Sequence, residues 1–217
     1  MSGAWVAALV GGAYLLGSVP FGLLIGLARG TDIRKAGSGN IGATNVGRVL
    51  GRPWGVLAFV LDMAKGLVPM LAAGALLGGF SDAHLGVAEY AAWVGVGAAA
   101  IIGHVLPVFL KFRGGKGVAT ACGVFSILAP TAALPALALF IGTVWLTKYV
   151  SLGSMLASLS LPTIAYATGS PTSIVVTAAA ACALIVFRHR SNLVRLRIGT
   201  ERRFGRRAQE VPAARTR

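Results

Sequence analysis

Acidic residues are scarce in this chain, whose 217 residues include 6 Asp and Glu against 20 Lys and Arg. Charged residues of both signs reach only 12%. A soluble domain carries about 25% charged residues, so a soluble fold is excluded. The hydrophobic fraction of 56% and the mean hydropathy of +0.77 predict an integral membrane protein instead.

Cysteine is also scarce, and this limits the chemistry. Cys122 and Cys182 lie inside apolar stretches and lack the spacing of metal ligands. We therefore interpret them as small buried side chains of a protein in a reducing compartment. The chain has no Cys/His cluster, no Ser-His-Asp order and no pair of carboxylates at a spacing typical of acid–base catalysis. These residues therefore predict no metal site.

Long apolar runs predict an all-α, polytopic fold. Five spans are clear, at about 4–28, 53–79, 90–108, 150–168 and 171–187. The stretch 118–147 is ambiguous. It fits one helix of roughly 45 Å, at about 1.5 Å per residue, or two short spans broken around Pro130 and Pro135.

The distribution of basic residues predicts the orientation. The loop 29–52 holds five basic residues, the connection 80–89 holds none, and ten follow residue 187. Since basic loops stay in the cytoplasm, the N-terminus is expected outside and the C-terminus inside. That parity favours two crossings in 118–147 and about seven in total, although a re-entrant pair satisfies it equally. Residues 1–203 form the predicted membrane domain.

The remaining residues, 204–217, form a predicted disordered, basic, cytoplasmic tail. A tail of this kind favours contact with anionic lipid headgroups. Nucleic-acid binding is disfavoured, because the tail lacks interleaved aromatic residues and follows a membrane domain.

Two glycine-rich, cationic segments interrupt the apolar chain, at 37–48 and 103–120. Backbone amides, hydroxyls and fixed positive charge in one short stretch suit phosphate. The alternatives are a capped turn for the first segment and a flexible hairpin for the second. The candidate substrate-binding residues are Asn40, Thr44, Asn45, Arg48, His104, Gly114, Gly115, Lys116 and Gly117.

Further polar residues stand beside the later spans. Ser151 and Ser154 are candidate binding residues, with helix capping as the alternative. His189 follows the last span, where its flanking arginines are expected to lower its pKa; a lipid-facing contact is the alternative. Asp62 and Lys65 share one face of a span, as a structural ion pair or as support for the site.

Four strings carry a resemblance to a known family. They are Gly17–Gly22, Gly37–Asn45, Gly103–Pro107 with Gly114–Thr120, and Arg188–Asn192. They closely resemble the bacterial acyl-phosphate:glycerol-3-phosphate acyltransferases, and the resemblance covers residues 5 to about 203. It implies a compact seven-helix bundle in the bacterial plasma (inner) membrane, with its site on the cytoplasmic side.

The implied reaction is the first step of phospholipid synthesis. A fatty acyl group passes from acyl phosphate to the 1-hydroxyl of glycerol 3-phosphate, giving 1-acyl-glycerol 3-phosphate and phosphate. The resemblance also implies contact with membrane lipids, no thioester cofactor, and an acyl-phosphate-forming enzyme as functional neighbour.

The resemblance and the chemistry together suggest roles for three residues. Ser38 and His189 are the candidate catalytic groups at the reacting centre, with Asn192 orienting. The general base stays open between His189 and a substrate phosphate. A transporter of an anionic metabolite is the alternative function, disfavoured because the polar groups gather at one face instead of at mid-membrane.

Overall fold

The computed structural model describes residues 2–80 and 83–205, and within these ranges the regular structure is entirely helical. The helices are α1 (Gly3–Ser18), α2 (Phe21–Ala28), α3 (Ala43–Leu50), α4 (Arg52–Leu77), α5 (Val87–Val105), α6 (Val118–Leu128), α7 (Pro130–Thr147), α8 (Val150–Ala167), α9 (Thr172–Arg188) and α10 (Arg190–Arg197). The predicted all-α class is confirmed for this part of the chain.

The first predicted span is two helices, α1 and α2, separated at Val19 and Pro20. Proline has no N–H to donate and disfavours helical geometry in the residue before it. At the break the Val19 carbonyl accepts from Phe21 N at 3.1 Å and from Lys65 Nζ on α4 at 2.9 Å.

Small residues let the helices approach closely, as the glycine content predicts. Gly17 of α1 lies against the Ala100 backbone of α5, and Gly103 of α5 lies against the Tyr14 carbonyl of α1. A Cβ at either glycine would overlap those backbone atoms. Such contacts position helices where van der Waals packing replaces the hydrophobic effect.

The ambiguous stretch 118–147 forms two helices, with Ala129 between α6 and α7. The two helices are unequal in length, since α6 has 11 residues and α7 has 18. Pro130 occupies the first turn of α7, where a missing N–H costs nothing, while Pro135 lies within α7 without ending it.

Within residues 2–80 and 83–205, five helical segments are long and apolar enough to cross a membrane, counting Gly3–Ala28 as one. A sixth results if α9 and α10, bent by 57°, form one span, and α6 is a shorter apolar helix. These helices fit a multi-pass membrane protein, whereas the seventh crossing and the orientation stay predictions.

Residues 206–217 of the predicted tail lie outside the described residues. The first tail residue, Phe204, is attached to the membrane domain, because its N–H donates to the Lys148 carbonyl at 2.6 Å.

Candidate active site

Four polar segments, distant in sequence, converge on one cleft. They are the loop that leads into α3, the 114–117 segment before α6 (the glycine loop), the start of α8, and the chain from His189 to Phe204. The cleft is lined by Ser38, Asn40, Gly42, Ala43, Thr44, Asn45, Arg48, Phe59, Asp62, His104, Lys116, Gly117, Val118, Ala119, Phe140, Val150, Ser151, Ser154, His189, Asn192, Arg195, Glu201, Arg202 and Phe204.

Asparagine amides fold the loop that precedes α3. Asn45 is buried, and its Oδ1 accepts from Ser38 N at 2.7 Å while its Nδ2 donates to the carbonyls of Ile33 and Ala36. Asn40 Oδ1 accepts from Gly42 N at 2.8 Å, closing an Asx turn. The capped-turn alternative therefore describes these two amides well, and their folding of the loop leaves Ser38 exposed at the cleft.

The glycine loop is packed between α5 and α9. Gly115 N donates to the His104 carbonyl at 3.1 Å, and a Cβ at Gly115 would overlap the His104 ring. From the other side, Arg188 donates to the carbonyls of Gly114 and Gly115 at 2.7 and 3.1 Å. Because these two carbonyl oxygens bind Arg188, which does not line the cleft, they do not face the cleft. Their partial negative charge is thus kept away from an anion bound in the cleft.

Gly117 ends the loop at the N-terminus of α6. Its φ of 88° is in the left-handed region that glycine adopts without strain. Val118 and Ala119, in the first turn of α6, line the cleft. Free amides at a helix N-terminus bind anions.

Lys116 brings a lysine ammonium into the same cleft. Burial lowers its pKa to about 8, with attraction to Glu201 opposing the shift and repulsion by nearby arginines adding to it. Arg48, on α3, also has a lowered pKa, because of burial first and repulsion from Arg202 second. Cations forced together in a partly buried cleft favour an anionic ligand.

Glu201 belongs to the fourth polar segment and connects it to the start of α8. Its carboxylate accepts hydrogen bonds from Ser151 Oγ at 2.8 Å, Asn192 Nδ2 at 2.7 Å and Arg195 Nε at 2.7 Å. Asn192 in turn accepts from Lys116 Nζ through its Oδ1, at 2.5 Å. Burial alone would raise the pKa of Glu201, but these hydrogen bonds outweigh burial and lower it.

His189 is buried at the junction of α9 and α10. Its Nδ1 lies 2.8 Å from the Ile185 carbonyl. Because a carbonyl only accepts, Nδ1 carries the proton and Nε2 is an acceptor. Burial, then repulsion by Lys116, lowers its pKa to about 4. The predicted direction is confirmed, but the flanking arginines are not its cause.

The cleft continues into an apolar groove between α6, α7, α8 and α9. Phe59, Val118 and Phe140 line both spaces. The groove is lined further by Ala121, Cys122, Phe125, Ala133, Ala136, Leu137, Ala157, Ser158, Leu161, Ala181, Cys182 and Ile185. A molecule with an anionic head and an apolar chain fits this arrangement.

Comparison with known proteins decides the family. Residues 7–199 match the family model described as glycerol-3-phosphate acyltransferase. The chain belongs to the glycerol-3-phosphate acyltransferase family. The curated glycerol-3-phosphate acyltransferase of Geobacter sulfurreducens is 49% identical over 88% of this chain and 94% of its own length. That of Aquifex aeolicus is 43% identical over 88% and 95%.

A solved structure extends the similarity to the fold. The crystal structure of PlsY (YgiH), an integral membrane glycerol 3-phosphate acyltransferase, in its glycerol 3-phosphate form has a TM-score of 0.85 and 42% identity. It covers 93% of this chain and 96% of that one. The lysophosphatidic acid form of the same protein has a TM-score of 0.82. This chain is accordingly a membrane acyltransferase of lipid synthesis.

Most residues predicted for the acyltransferase site meet in the cleft. Gly114 and Gly115 are the exceptions, and both contact groups behind it. Ser151 does not cap α8, whose N-cap is Tyr149, and instead binds Glu201. The Ser154 hydroxyl donates to the Val150 carbonyl one turn earlier.

The predicted set of site residues omitted several residues that line the cleft, among them four that follow Asn192 in the chain. Arg195, Glu201, Arg202 and Phe204 are close to His189 and Asn192 in sequence and share their side of the molecule. The only sequence signal for them is the basic, loosely helical spacing after α9, which also suits a lipid-facing helix.

Proposed function

We propose that the chain transfers a fatty acyl group from acyl phosphate to the 1-hydroxyl of glycerol 3-phosphate. The single observation that carries the proposal is a cationic cleft that opens into an apolar groove. Both substrates bear phosphate, and only the donor bears a long chain. One polar space with several cations and one apolar extension match this pair.

Arg48 and Lys116, with the amides at the start of α6, are proposed to bind the phosphates. Ser38, Asn40 and Thr44 supply further donors from the loop before α3. Arg195 contributes less, because it is paired with Glu201. Asn45, Ser151 and Ser154 are proposed to hold this arrangement through their bonds to protein atoms.

The reaction is proposed as a direct transfer. The substrate hydroxyl oxygen bonds to the acyl carbonyl carbon, the carbon–oxygen bond to phosphate breaks, and the hydroxyl proton passes to a phosphate oxygen or His189. Ser38 donates to the developing oxyanion, and Asn192 orients Lys116. Because the donor is already activated, orientation supplies much of the rate, roughly 7–11 kcal/mol in favourable cases.

His189 is proposed to accept a hydrogen bond from the attacking hydroxyl through Nε2. A histidine with a pKa of about 4 is a weak base. That favours the second of the two bases left open, a substrate phosphate, as the final proton acceptor.

The apolar groove is proposed to hold the acyl chain. Each methylene removed from water contributes about 0.8 kcal/mol, so a long chain binds strongly even when part of it contacts lipid. Phe59 and Phe140, at the junction of cleft and groove, would set the position of the carbonyl between them.

We propose the predicted setting for this chemistry: a bacterial plasma membrane protein crossing seven times, with its N-terminus outside. The cleft then opens at the cytoplasmic edge, where an acyl-phosphate-forming enzyme and soluble glycerol 3-phosphate are accessible. The proposal needs no metal or cofactor.

The test uses purified protein in micelles with palmitoyl phosphate and glycerol 3-phosphate, following phosphate release and lysolipid together. We expect equal amounts of both products. Palmitoyl-CoA replaces the donor in a parallel reaction, and equal turnover with it would overturn the donor assignment. Binding without turnover would favour a transporter.

Variants locate the chemistry in the cleft. Arg48→Ala and Lys116→Ala should lower kcat/KM about tenfold or more, because a charged hydrogen bond contributes about 1.5–3 kcal/mol. Arg197→Ala removes an exposed arginine of α10 and is the matched control. Equal activity in all three variants would contradict the phosphate assignments.

A further inference from the structure

Three titratable side chains are buried together at the floor of the cleft, which two of them, Asp62 and His104, line. Asp62, Lys65 and His104 are each 4% exposed or less. Lys65 Nζ lies 3.0 Å from Asp62 Oδ1 and donates to the Val19 carbonyl at 2.9 Å. Because isolated charges at membrane depth are costly, this buried cluster must be internally compensated.

One atom of the buried cluster lacks a hydrogen bond among the described residues. His104 Nδ1 is fully buried, and the nearest carboxylate oxygen, Asp62 Oδ1, is 3.6 Å away. That distance is slightly too long for a hydrogen bond. A movement of the His104 ring by about half an ångström would bring Nδ1 within hydrogen-bonding distance of Asp62 Oδ1. Asp62 is therefore the acceptor available to an N–H at this position.

The opposite edge of the His104 ring contacts the glycine loop. The ring lies where a Cβ of Gly115 would be, and the His104 carbonyl accepts from Gly115 N. Asp62 contacts α6, the helix that follows the glycine loop. Its backbone carbonyl accepts a hydrogen bond of 2.9 Å from the Oγ1 of Thr120, in the first turn of that helix. The cluster therefore touches both ends of the segment that carries Lys116.

We propose that Asp62 and Lys65 are positioning residues for phosphate binding: Asp62 orients the His104 ring with its proton on Nδ1, and the ring fixes the glycine loop against α5. Lys65 compensates the Asp62 charge and joins it to the break between α1 and α2. This rests on the proposed phosphate role of the glycine loop.

The first test reads the His104 ring directly and needs no catalysis. Nitrogen-15 NMR of histidine-labelled protein in micelles is recorded for the wild type, for the isosteric double variant Asp62→Asn/Lys65→Gln, and for His104→Gln, which assigns the signal. We expect Nδ1 protonation of His104 in the wild type and its loss or mixing in the double variant. His189, whose Nδ1 faces the Ile185 carbonyl, is the internal control.

The second test is kinetic. The double variant should raise the KM of the substrate whose KM Lys116→Ala raises most, with kcat changed less. Adding His104→Gln should cause no further rise, because residues acting through one contact are not additive. The matched control is Asp32→Asn/Arg34→Gln, which removes an exposed ion pair of 2.8 Å outside the cleft and should leave KM unchanged.

The outcomes separate the hypotheses. An unchanged His104 tautomer, a wild-type KM in the folded double variant, or additive effects would each overturn the positioning role. If the double variant does not fold, Asp62→Glu retains the charge but moves it, and a wild-type KM there would overturn the proposal instead. Failure of the wild type to turn over acyl phosphate would refute the proposed donor and leave the tautomer result standing.

Discussion

Lys116 is the cation of the cleft whose charge changes nearest to neutral pH. Since its pKa is lowered to about 8, the ammonium is present below that pH and is lost as the pH rises through it. We expect kcat/KM, which reports the free enzyme, to fall above about pH 8. Arginine stays charged, so Lys116→Arg should lower activity but remove this alkaline decline.

The measurement is kcat/KM for each substrate between pH 6 and pH 9.5, with Lys35→Arg, an exposed lysine of the loop before α3, as control. An alkaline limb that is identical in Lys116→Arg and wild type would assign the titration to another group.

Glu201 is expected to stabilise the protein in a pH-dependent way. Its folded pKa is lowered, so its contribution is present above the unfolded value of 4.5 and is lost as the pH falls through the folded value. Glu201→Gln should therefore lower Tm at neutral pH, and the difference from wild type should shrink on acidification below 4.5.

Thermal unfolding in micelles at several pH values measures this difference. Glu201→Ala, which leaves Ser151, Asn192 and Arg195 without their acceptor, should be less active than Glu201→Gln. If the Tm difference between Glu201→Gln and the wild type did not change with pH, Glu201 would not stabilise the protein through its ionised carboxylate.

The site residues within the four family-like sequence segments could be predicted from the sequence, but the residues that they contact could not. Lys116 and Asn192 are 76 residues apart, and no local pattern pairs them. His104 and Asp62 meet only because α4 and α5 pack together, so a prediction from spacing stops at the Asp62–Lys65 pair. Glu201 follows α10, whose basic composition is equally typical of a helix on the membrane surface and of a phosphate-binding site. The composition alone therefore could not assign Glu201 to the site.

At the scale of elements, α7 gives the sharpest test of the acyl groove. Ala133 lines the groove, whereas Ala138 lies on the exposed side of the same helix. Ala133→Phe should shorten the groove and lower kcat/KM for palmitoyl phosphate relative to octanoyl phosphate. If four methylenes lose their site, at about 0.8 kcal/mol each, the palmitoyl/octanoyl ratio of kcat/KM falls by a factor that corresponds to about 3 kcal/mol.

Ala138→Phe adds the same side chain to the same helix and should leave the palmitoyl/octanoyl ratio unchanged. A parallel decline for both donors in Ala133→Phe would indicate damaged packing instead of a shortened groove, and would contradict the groove assignment.

Helix existence was predictable from apolar runs, but helix breaks were harder. The span predicted from about residue 53 begins as α4 at Arg52, with Pro53 in the first turn, which suits proline. Pro20 breaks the first span, whereas Pro135 lies inside α7 without ending it. The Val19 carbonyl at the first break accepts from Phe21 N and from Lys65 Nζ.

At the scale of the whole molecule, the orientation is testable by labelling. Both native cysteines are free and are first replaced by alanine. Single cysteines at Ser2, His84, Phe112 and Gly205 should then be labelled by an impermeant reagent in intact cells only at positions 2 and 84. Labelling of position 112 from outside would overturn the orientation, and permeabilised cells control for reactivity.

The residues that line the cleft lie between positions 38 and 204, so the cleft is completed only late in synthesis of the chain. A ribosome releases the loop before α3 early and the Glu201 segment late, after every membrane helix has been made. The anion-binding surface therefore stays incomplete through most of synthesis. A chain interrupted after α9 would already be inserted in the bilayer, yet would lack Asn192 and Glu201 and should neither bind substrate nor consume it.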